Sequence, residues 1–276
     1  MKFKTIQNKF NFNNLIEIST NYKNKKPFPY CVIDNLWDFN LLKNVEKEFN
    51  EFQDWDGEKK FAGAIKKRFC ETEHKMPVNI IEILRFCNSS KFISSLEKLT
   101  GEKGLIPDPH YRGAGMHSTT KGGFLKMHTD FNWNEDLNLY RRINLLIYLN
   151  SKWENNWGGE LKFATKNYKG LIIQKSIKPI FNRTVIFTTS DVSYHGVPES
   201  VKSPEYIDRK SLILYYYVAK RPKNTSFVKK TSTNYRMSNG SALIKRSFLK
   251  NALSLIKDNL LPRKMLEAYK KFRNYK

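Results

Sequence analysis

The sequence predicts an α+β protein: helices come first, then an antiparallel double-sheet barrel of jelly-roll or cupin-like type, then a basic helical extension. Three observations carry this. From Leu105 onward the chain breaks into short β-rich runs separated by Gly, Pro, Asn and Asp, the spacing of a closed antiparallel architecture. Before that point apolar residues recur at helical intervals, and helices ahead of a barrel pack on one outer sheet. After residue 219 the composition turns strongly basic.

Taken in order, residues 1–26 are polar and basic and read as a loose lead-in. Val32 and Ile33 with their flanks suggest a first strand. Leu41, Leu42, Val45 and Phe49 then mark an amphipathic helix. Residues 51–75 are charged without a clear period and read as a loop that overhangs whatever site the barrel holds. Ile80, Ile81, Ile83, Leu84 and Phe86 suggest a second helix, and Phe92, Ile93, Leu96 and Leu99 a third that stops at Gly101. These apolar positions need no role beyond core packing. The expected organisation is a helical support region over 1–103, a barrel core over 104–219 whose mouth suits a ligand cavity, and a helical extension over 220–276.

The 276 residues suffice for one large domain or a domain with an appendage. Hydrophobic residues make up 40% and aromatics 14%, which excludes a disordered chain. No apolar run is long enough to span a bilayer, and Met1-Lys-Phe-Lys-Thr-Ile-Gln7 lacks the apolar core of a signal peptide. Cys31, Cys70 and Cys87 are few, scattered and odd in number, as in a reduced cytoplasmic protein rather than a disulfide scaffold.

One stretch carries chemistry. In Lys121-Gly-Gly-Phe-Leu-Lys-Met-His-Thr-Asp130 the Gly pair marks a turn leading into a strand, along which His128 and Asp130 project to one face while Thr129 points away. A third ligand, His195, stands just after the β-rich run Thr184-Val-Ile-Phe-Thr-Thr189. Two imidazoles and one carboxylate on one face bind an octahedral metal and leave its other side open, as in non-haem Fe(II) oxygenases. His-x-Asp alone is a weak signal, since a surface His beside an Asp is usually a solvated pair. Arg209 opens the next β-rich run, Ser211–Val218, and a guanidinium near a metal suits a dicarboxylate co-substrate.

Six segments in order make the signal specific: Gly122–Phe131, Arg141-Arg-Ile-Asn-Leu-Leu-Ile-Tyr-Leu-Asn150, Trp157-Gly-Gly-Glu-Leu161, Asn182-Arg-Thr-Val-Ile-Phe187, His195-Gly-Val-Pro198 and Arg209-Lys-Ser-Leu212. Through these the chain resembles the iron(II)- and 2-oxoglutarate-dependent dioxygenases, in the prolyl 4-hydroxylase-like branch, over residues 104–218, with a weaker likeness back to Pro27–Asp34. The resemblance implies a double-stranded β-helix and a hydroxylase that binds Fe(II) through His128, Asp130 and His195. It implies 2-oxoglutarate as co-substrate with Arg209 on its remote carboxylate, O2 as oxidant, and ascorbate as an accessory reductant. Tyr148 matches a tyrosine that often hydrogen-bonds that carboxylate in related enzymes, or else is a barrel aromatic with its hydroxyl at the rim. Ser211 matches the Arg-x-Ser pattern of part of the superfamily and shares a face with Arg209, while Lys210 points away. The gap between His195 and Arg209 is longer than in the closest prolyl hydroxylases, with Pro198–Pro204 as an insertion. Asp130 in place of a small residue favours hydroxylation over halogenation, because no position is vacated for a halide.

The remaining candidates read more plainly. His74 lies in a charged stretch and reads as exposed; His110 and His117 read as structural or surface residues, with His117 able to border the cavity. Arg141 and Arg142 adjoin the substrate side of the barrel but read most simply as a charged strand end.

Net charge is +23, and the last 57 residues hold 16 Lys and Arg against Asp258 and Glu267. Residues 220–240 read as a flexible basic connector. Leu243, Ile244, Phe248, Leu249, Ala252, Leu253, Ile256 and Leu260 then give an amphipathic helix. Its basic face has three readings: the solvated face of a helix packed on the barrel, attachment to an anionic surface such as lipid headgroups or a phosphorylated glycan intermediate, or an electrostatic contact with nucleic acid or a ribosomal partner. The substrate is an unidentified organic molecule, whether a prolyl or other side chain or a small or sugar-like compound. The expected location is cytoplasmic, with a peripheral membrane position as a variant. The alternative is a non-catalytic jelly-roll binding protein tethered by its basic tail.

Overall fold

The computed structural model describes residue 10, residues 21–220 and residues 232–236. Strand β1 (Tyr30–Asp34) leads into helix α1 (Phe39–Glu51), whose first turn is capped by the Asp38 carboxylate accepting from the Leu41 amide. Leu41, Leu42, Val45 and Phe49 are buried on one stripe of it, as their spacing predicts. Strands β2 (Gly57–Phe61) and β3 (Ala64–Cys70) form a hairpin, followed by α2 (Val78–Cys87) and α3 (Ser90–Thr100). Helix α3 ends where Gly101 takes φ 71°, a left-handed conformation that glycine adopts at little cost.

The hairpin corrects the reading of 51–75 as a loop. Its strands are mostly solvated on both faces, so hydrophobic alternation, the usual strand signal, is missing from the sequence.

The barrel strands follow: β4 (Ile106–Pro107), β5 (Gly115–Thr129), β6 (Trp133–Asn134), β7 (Leu139–Tyr148), β8 (Leu161–Asn167), β9 (Gly170–Ile177), β10 (Arg183–Thr188), β11 (Tyr194–Val197), β12 (Arg209–Val218) and β13 (Asn234–Tyr235). All described pairings are antiparallel, along the path β1-β10-β7-β12-β5-β11-β8-β9, with β3 and β13 also on β5. The path curls because β5 serves both sheets. Its first residues pair with β12, and its last, from Leu125 to His128, pair with β11. The bend lies at Gly122 and Gly123, inside the strand rather than at a turn before it. Gly122 has φ 79°, and a Cβ on Gly123 would come within 2.8 Å of the Thr120 carbonyl. The insertion between His195 and Arg209 seats there, with Val201 exchanging backbone hydrogen bonds with Gly122 and Gly123 at 2.7 and 2.9 Å.

Strand alternation divides two cores. Ile143, Leu145, Ile147, Leu212, Leu214 and Ile186 face the helices, where they meet Leu42, Val45, Ile83, Phe86 and Phe92. Leu146, Tyr148, Val185, Phe187 and Ile213 face the barrel interior with Phe28 and Phe163. The three cysteines are buried and free. Among the described residues no helix is long and apolar enough to cross a membrane. The amphipathic helix expected over 241–262 lies outside the described residues. Of the expected connector 220–240, residues 234–235 form β13 on the end of β5 instead.

Candidate metal centre

His128 and His195 face each other across the β5–β11 pair, so two distant parts of the sequence meet in register. Their ring centroids are 4.4 Å apart. Asp130, just beyond the end of β5, points between them. His128 Nε2 is 3.6 Å from its Oδ1 and His195 Nε2 is 3.3 Å from its Oδ2. All three side chains are buried, and their ligand atoms lie within 4.8 Å of one another. Ligands about 2.1 Å from a shared ion at right angles stand about 3 Å apart, so small side-chain adjustments would bring these atoms round one ion.

The donor set fits a divalent metal for a further reason. His128 Nδ1 donates to the Lys126 carbonyl at 2.8 Å, and His195 Nδ1 donates to the Ser193 carbonyl at 2.9 Å. Each carbonyl lies two residues back on the same chain. Engaging Nδ1 in this way leaves the Nε2 lone pairs directed at the shared centre. Burial pushes the His195 imidazolium down to about 4, so the ring is neutral and able to bind metal. Burial alone would raise the Asp130 pKa, but Arg141, His195 and His128 outweigh it and hold the carboxyl far below the usual range.

Arg141 is not a charged strand end. It is 1% exposed, lies 3.0 Å from Asp130 Oδ2, and stacks over the Tyr215 ring at 3.3 Å. Asn144 links the two, accepting from Arg141 Nε at 2.9 Å and donating to Asp130 Oδ2 at 2.8 Å. Simple alternation along β7 would have put Arg142, not Arg141, on the face of Asn144. A bulge against β12 reverses this, because Tyr216 pairs with Ile143 and the next residue, Tyr217, with Arg141. Arg142 is thereby turned outward to Glu102, at 2.8 Å.

Arg209 lies across the cavity. It is buried, donates from Nε to the Gly159 carbonyl at 2.6 Å and from Nη2 to the Tyr148 hydroxyl at 3.0 Å. Among the described residues Nη1 has no partner. Behind it the pairing of β5 with β12 sets Ser211 opposite His117, and both carry a buried atom without a hydrogen bond, Ser211 Oγ and His117 Nδ1. Burial and the nearby Lys67 keep His117 neutral. His117 thus borders the cavity, whereas His74 and His110 are exposed.

A cavity of about 170 Å³ joins these groups, and His128, Asp130, His195, Arg141, Asn144 and Arg209 all line it. Four of the polar residues that line it come from segments to which the sequence analysis assigned no site residue. Lys59 and Lys67 come from the hairpin, Glu71 directly follows it, and Tyr235 of β13 lies 5.2 Å from the His128 ring. Only the pairing of β3 and β13 with β5 brings them there, and no local pattern marks it.

The family model of the 2OG-Fe(II) oxygenase superfamily matches residues 114–217. Among solved structures the chain is similar to a prolyl hydroxylase from Trichoplax adhaerens, in complex with a hypoxia inducible factor peptide fragment. That match has 20% identity over 79% of this chain and 94% of that one, with a TM-score of 0.52. A Pseudomonas putida prolyl-4-hydroxylase matches with 12% identity over 75% of this chain and 100% of that one, with a TM-score of 0.53. No curated protein sequence matches the chain. These likenesses establish the fold as the double-stranded β-helix expected above.

Proposed function

We propose that this chain, whose residues 114–217 belong to the 2OG-Fe(II) oxygenase superfamily, is a hydroxylase that binds Fe(II) through His128, Asp130 and His195. One observation carries the residue assignment: two Nε2 lone pairs, each fixed by an Nδ1–carbonyl hydrogen bond, converge with one carboxylate on a cavity. Fe(II) and 2-oxoglutarate supply the oxidising chemistry, in which 2-oxoglutarate and O2 become succinate and CO2 as one oxygen atom enters a substrate C–H bond.

The protein's own residues bind, orient and shield. Arg209 receives the remote carboxylate of 2-oxoglutarate through its unengaged Nη1, held in place by Gly159 and Tyr148. Ser211 supplies a further donor from the same strand face, since its Oγ is buried and unpartnered. Arg141 and Asn144 orient the Asp130 carboxylate so that its oxygens face the histidines. Leu146, Phe187 and Ile213 keep the cavity wall apolar and water out. The substrate is an organic molecule. Nothing among the described residues favours the binding-only alternative.

The test is succinate formation from 2-oxoglutarate with Fe(II), ascorbate and O2, without added substrate, beside His128→Ala. Succinate that is abolished in the variant is the expected result. Its absence from the wild type, together with no 2-oxoglutarate binding in anaerobic Fe(II), would overturn the reading.

A further inference from the structure

Strand pairing sets four residues in one line across the cavity wall. Lys59 of β2 pairs with Lys67 of β3, Lys67 with Thr119 of β5, and Thr119 with Arg209 of β12. Directly paired residues share a sheet face, and all four line the cavity. Adjacent strands are about 4.8 Å apart, so Lys67 stands roughly 10 Å from Arg209, with Thr119 between them. The row is therefore long enough for two anionic groups received separately, one at Arg209 and one at the lysines.

The lysines are unspent. Arg209 is tied to Gly159 and Tyr148, and Arg141 to Asp130 and Asn144. Lys59 lies over the Phe69 ring at 4.2 Å, and neither lysine has an ion pair or hydrogen bond among the described residues. The charged lining consists of Lys59, Lys67, Arg141 and Arg209 against Glu71 and Asp130, an excess of two positive charges when Lys67 is protonated. Fe(II) and 2-oxoglutarate carry opposite charges of equal size, so loading the site leaves this excess uncancelled.

We propose that Lys59 and Lys67 form the acceptor-substrate subsite of this cavity and select a substrate that carries an oxyanion, a phosphate, sulfate or carboxylate. The inference rests on the oxygenase reading only in calling this ligand the acceptor. The crowding of like charge supports it: burial, Lys59 and Arg209 together push the Lys67 ammonium down to about 7, a cost that a bound oxyanion would relieve. A neutral peptide side chain or unmodified sugar would leave both ammonium groups without a partner.

Inorganic phosphate is the probe, titrated calorimetrically into full-length protein already saturated with Ni(II) and 2-oxoglutarate, so that Arg209 is occupied. Lys59→Met and Lys67→Met, which keep side-chain length, are expected to raise the phosphate Kd at least tenfold. Lys67→Arg should stay within about threefold, and Lys166→Met, an exposed lysine on β8, should match the wild type. The 2-oxoglutarate Kd should change less than twofold in all four. Phosphate binding that is absent from the wild type, or insensitive to both Met variants, would overturn the proposal. So would an equal loss in Lys166→Met, which would mean net charge alone, or a matching loss of 2-oxoglutarate affinity, which would assign the lysines to the co-substrate. Succinate formation by the wild type is scored separately. If it fails while the phosphate pattern holds, the oxyanion site stands and the oxygenase reading falls.

Discussion

Arg141 sits 3.0 Å from Asp130 and is pinned there by the Tyr215 ring, so the one carboxylate of the candidate metal site shares its charge with a buried guanidinium. An ion bound by Asp130 therefore competes with an arginine that is already in place. Removing one partner of a buried pair typically costs about 3–5 kcal/mol, because the other charge is left uncompensated. Arg141→Met should accordingly lower the melting temperature of the metal-free protein strongly. Ni(II) then takes the place of the guanidinium beside Asp130, so it should raise the melting temperature further in the variant than in the wild type. Thermal melts with and without Ni(II) check this, and equal metal-induced shifts would refute it.

Arg209 offers a cleaner separation of roles. Its partners are Gly159 and Tyr148 rather than any of the three candidate ligands. A charge-assisted hydrogen bond contributes about 1.5–3 kcal/mol, so Arg209→Met should weaken 2-oxoglutarate binding roughly 10- to 100-fold. Ni(II) affinity should hold within about twofold. Tyr148→Phe removes only the hydroxyl that steadies the guanidinium and should cost less. Calorimetric titration of each ligand decides, and a parallel loss of Ni(II) binding would show that Arg209 supports the metal site.

Lys67 should stand apart among the lysines in reactivity. Only the neutral amine is acylated, and an ordinary lysine is almost wholly charged at neutral pH. Lys67, at about 7, faces Lys59, Arg209, Asp130 and Glu71. Its labelling by acetic anhydride should rise with a midpoint near pH 7. The sign for binding of sulfate, whose own charge stays fixed over this range, is opposite: binding needs the charged form of Lys67, so affinity should fall as pH rises through about 7. Peptide-level mass spectrometry across pH 6–9 checks the first statement, and a Lys67 midpoint near the ordinary lysine value would refute it.

What the sequence disclosed follows from which interactions are local. Helices α1, α2 and α3 bury their apolar stripes against one core, so their spacing alone located them. His128 and Asp130 are two residues apart on a strand and could be paired on paper. His195 could be proposed as the third ligand from its place after a β-rich run, but only the β5–β11 register sets it opposite His128. Arg141 could not be told from Arg142 because the bulge in β7 shifts the alternation by one residue, an event with no local signature. Asn144 did leave a trace, as a lone polar residue in the apolar run Ile143–Ile147. The hairpin and Tyr235 were silent because their importance lies wholly in pairing with β5, not in their own composition.

Asn182 shows how a motif residue outside the cavity holds the fold behind it. Its backbone takes φ 59°, its Oδ1 accepts from the Trp37 amide at 3.1 Å, and its Nδ2 donates to the Trp37 carbonyl at 2.8 Å. The Trp37 indole in turn donates to Thr184 at 3.0 Å, tying the start of α1 to β10. Alanine at 182 would strand both Trp37 backbone groups and keep an unfavourable left-handed conformation. At about 1–3 kcal/mol per stranded group and 1–2 for the conformation, the loss should be roughly 3–8 kcal/mol. Glycine loses the same hydrogen bonds but tolerates the conformation, so Asn182→Gly should be about 1 kcal/mol more stable than Asn182→Ala. Urea unfolding followed by tryptophan fluorescence measures both. Equal stabilities for the two variants would mean that the side-chain bonds to Trp37, not the backbone conformation, are why asparagine stands at this corner.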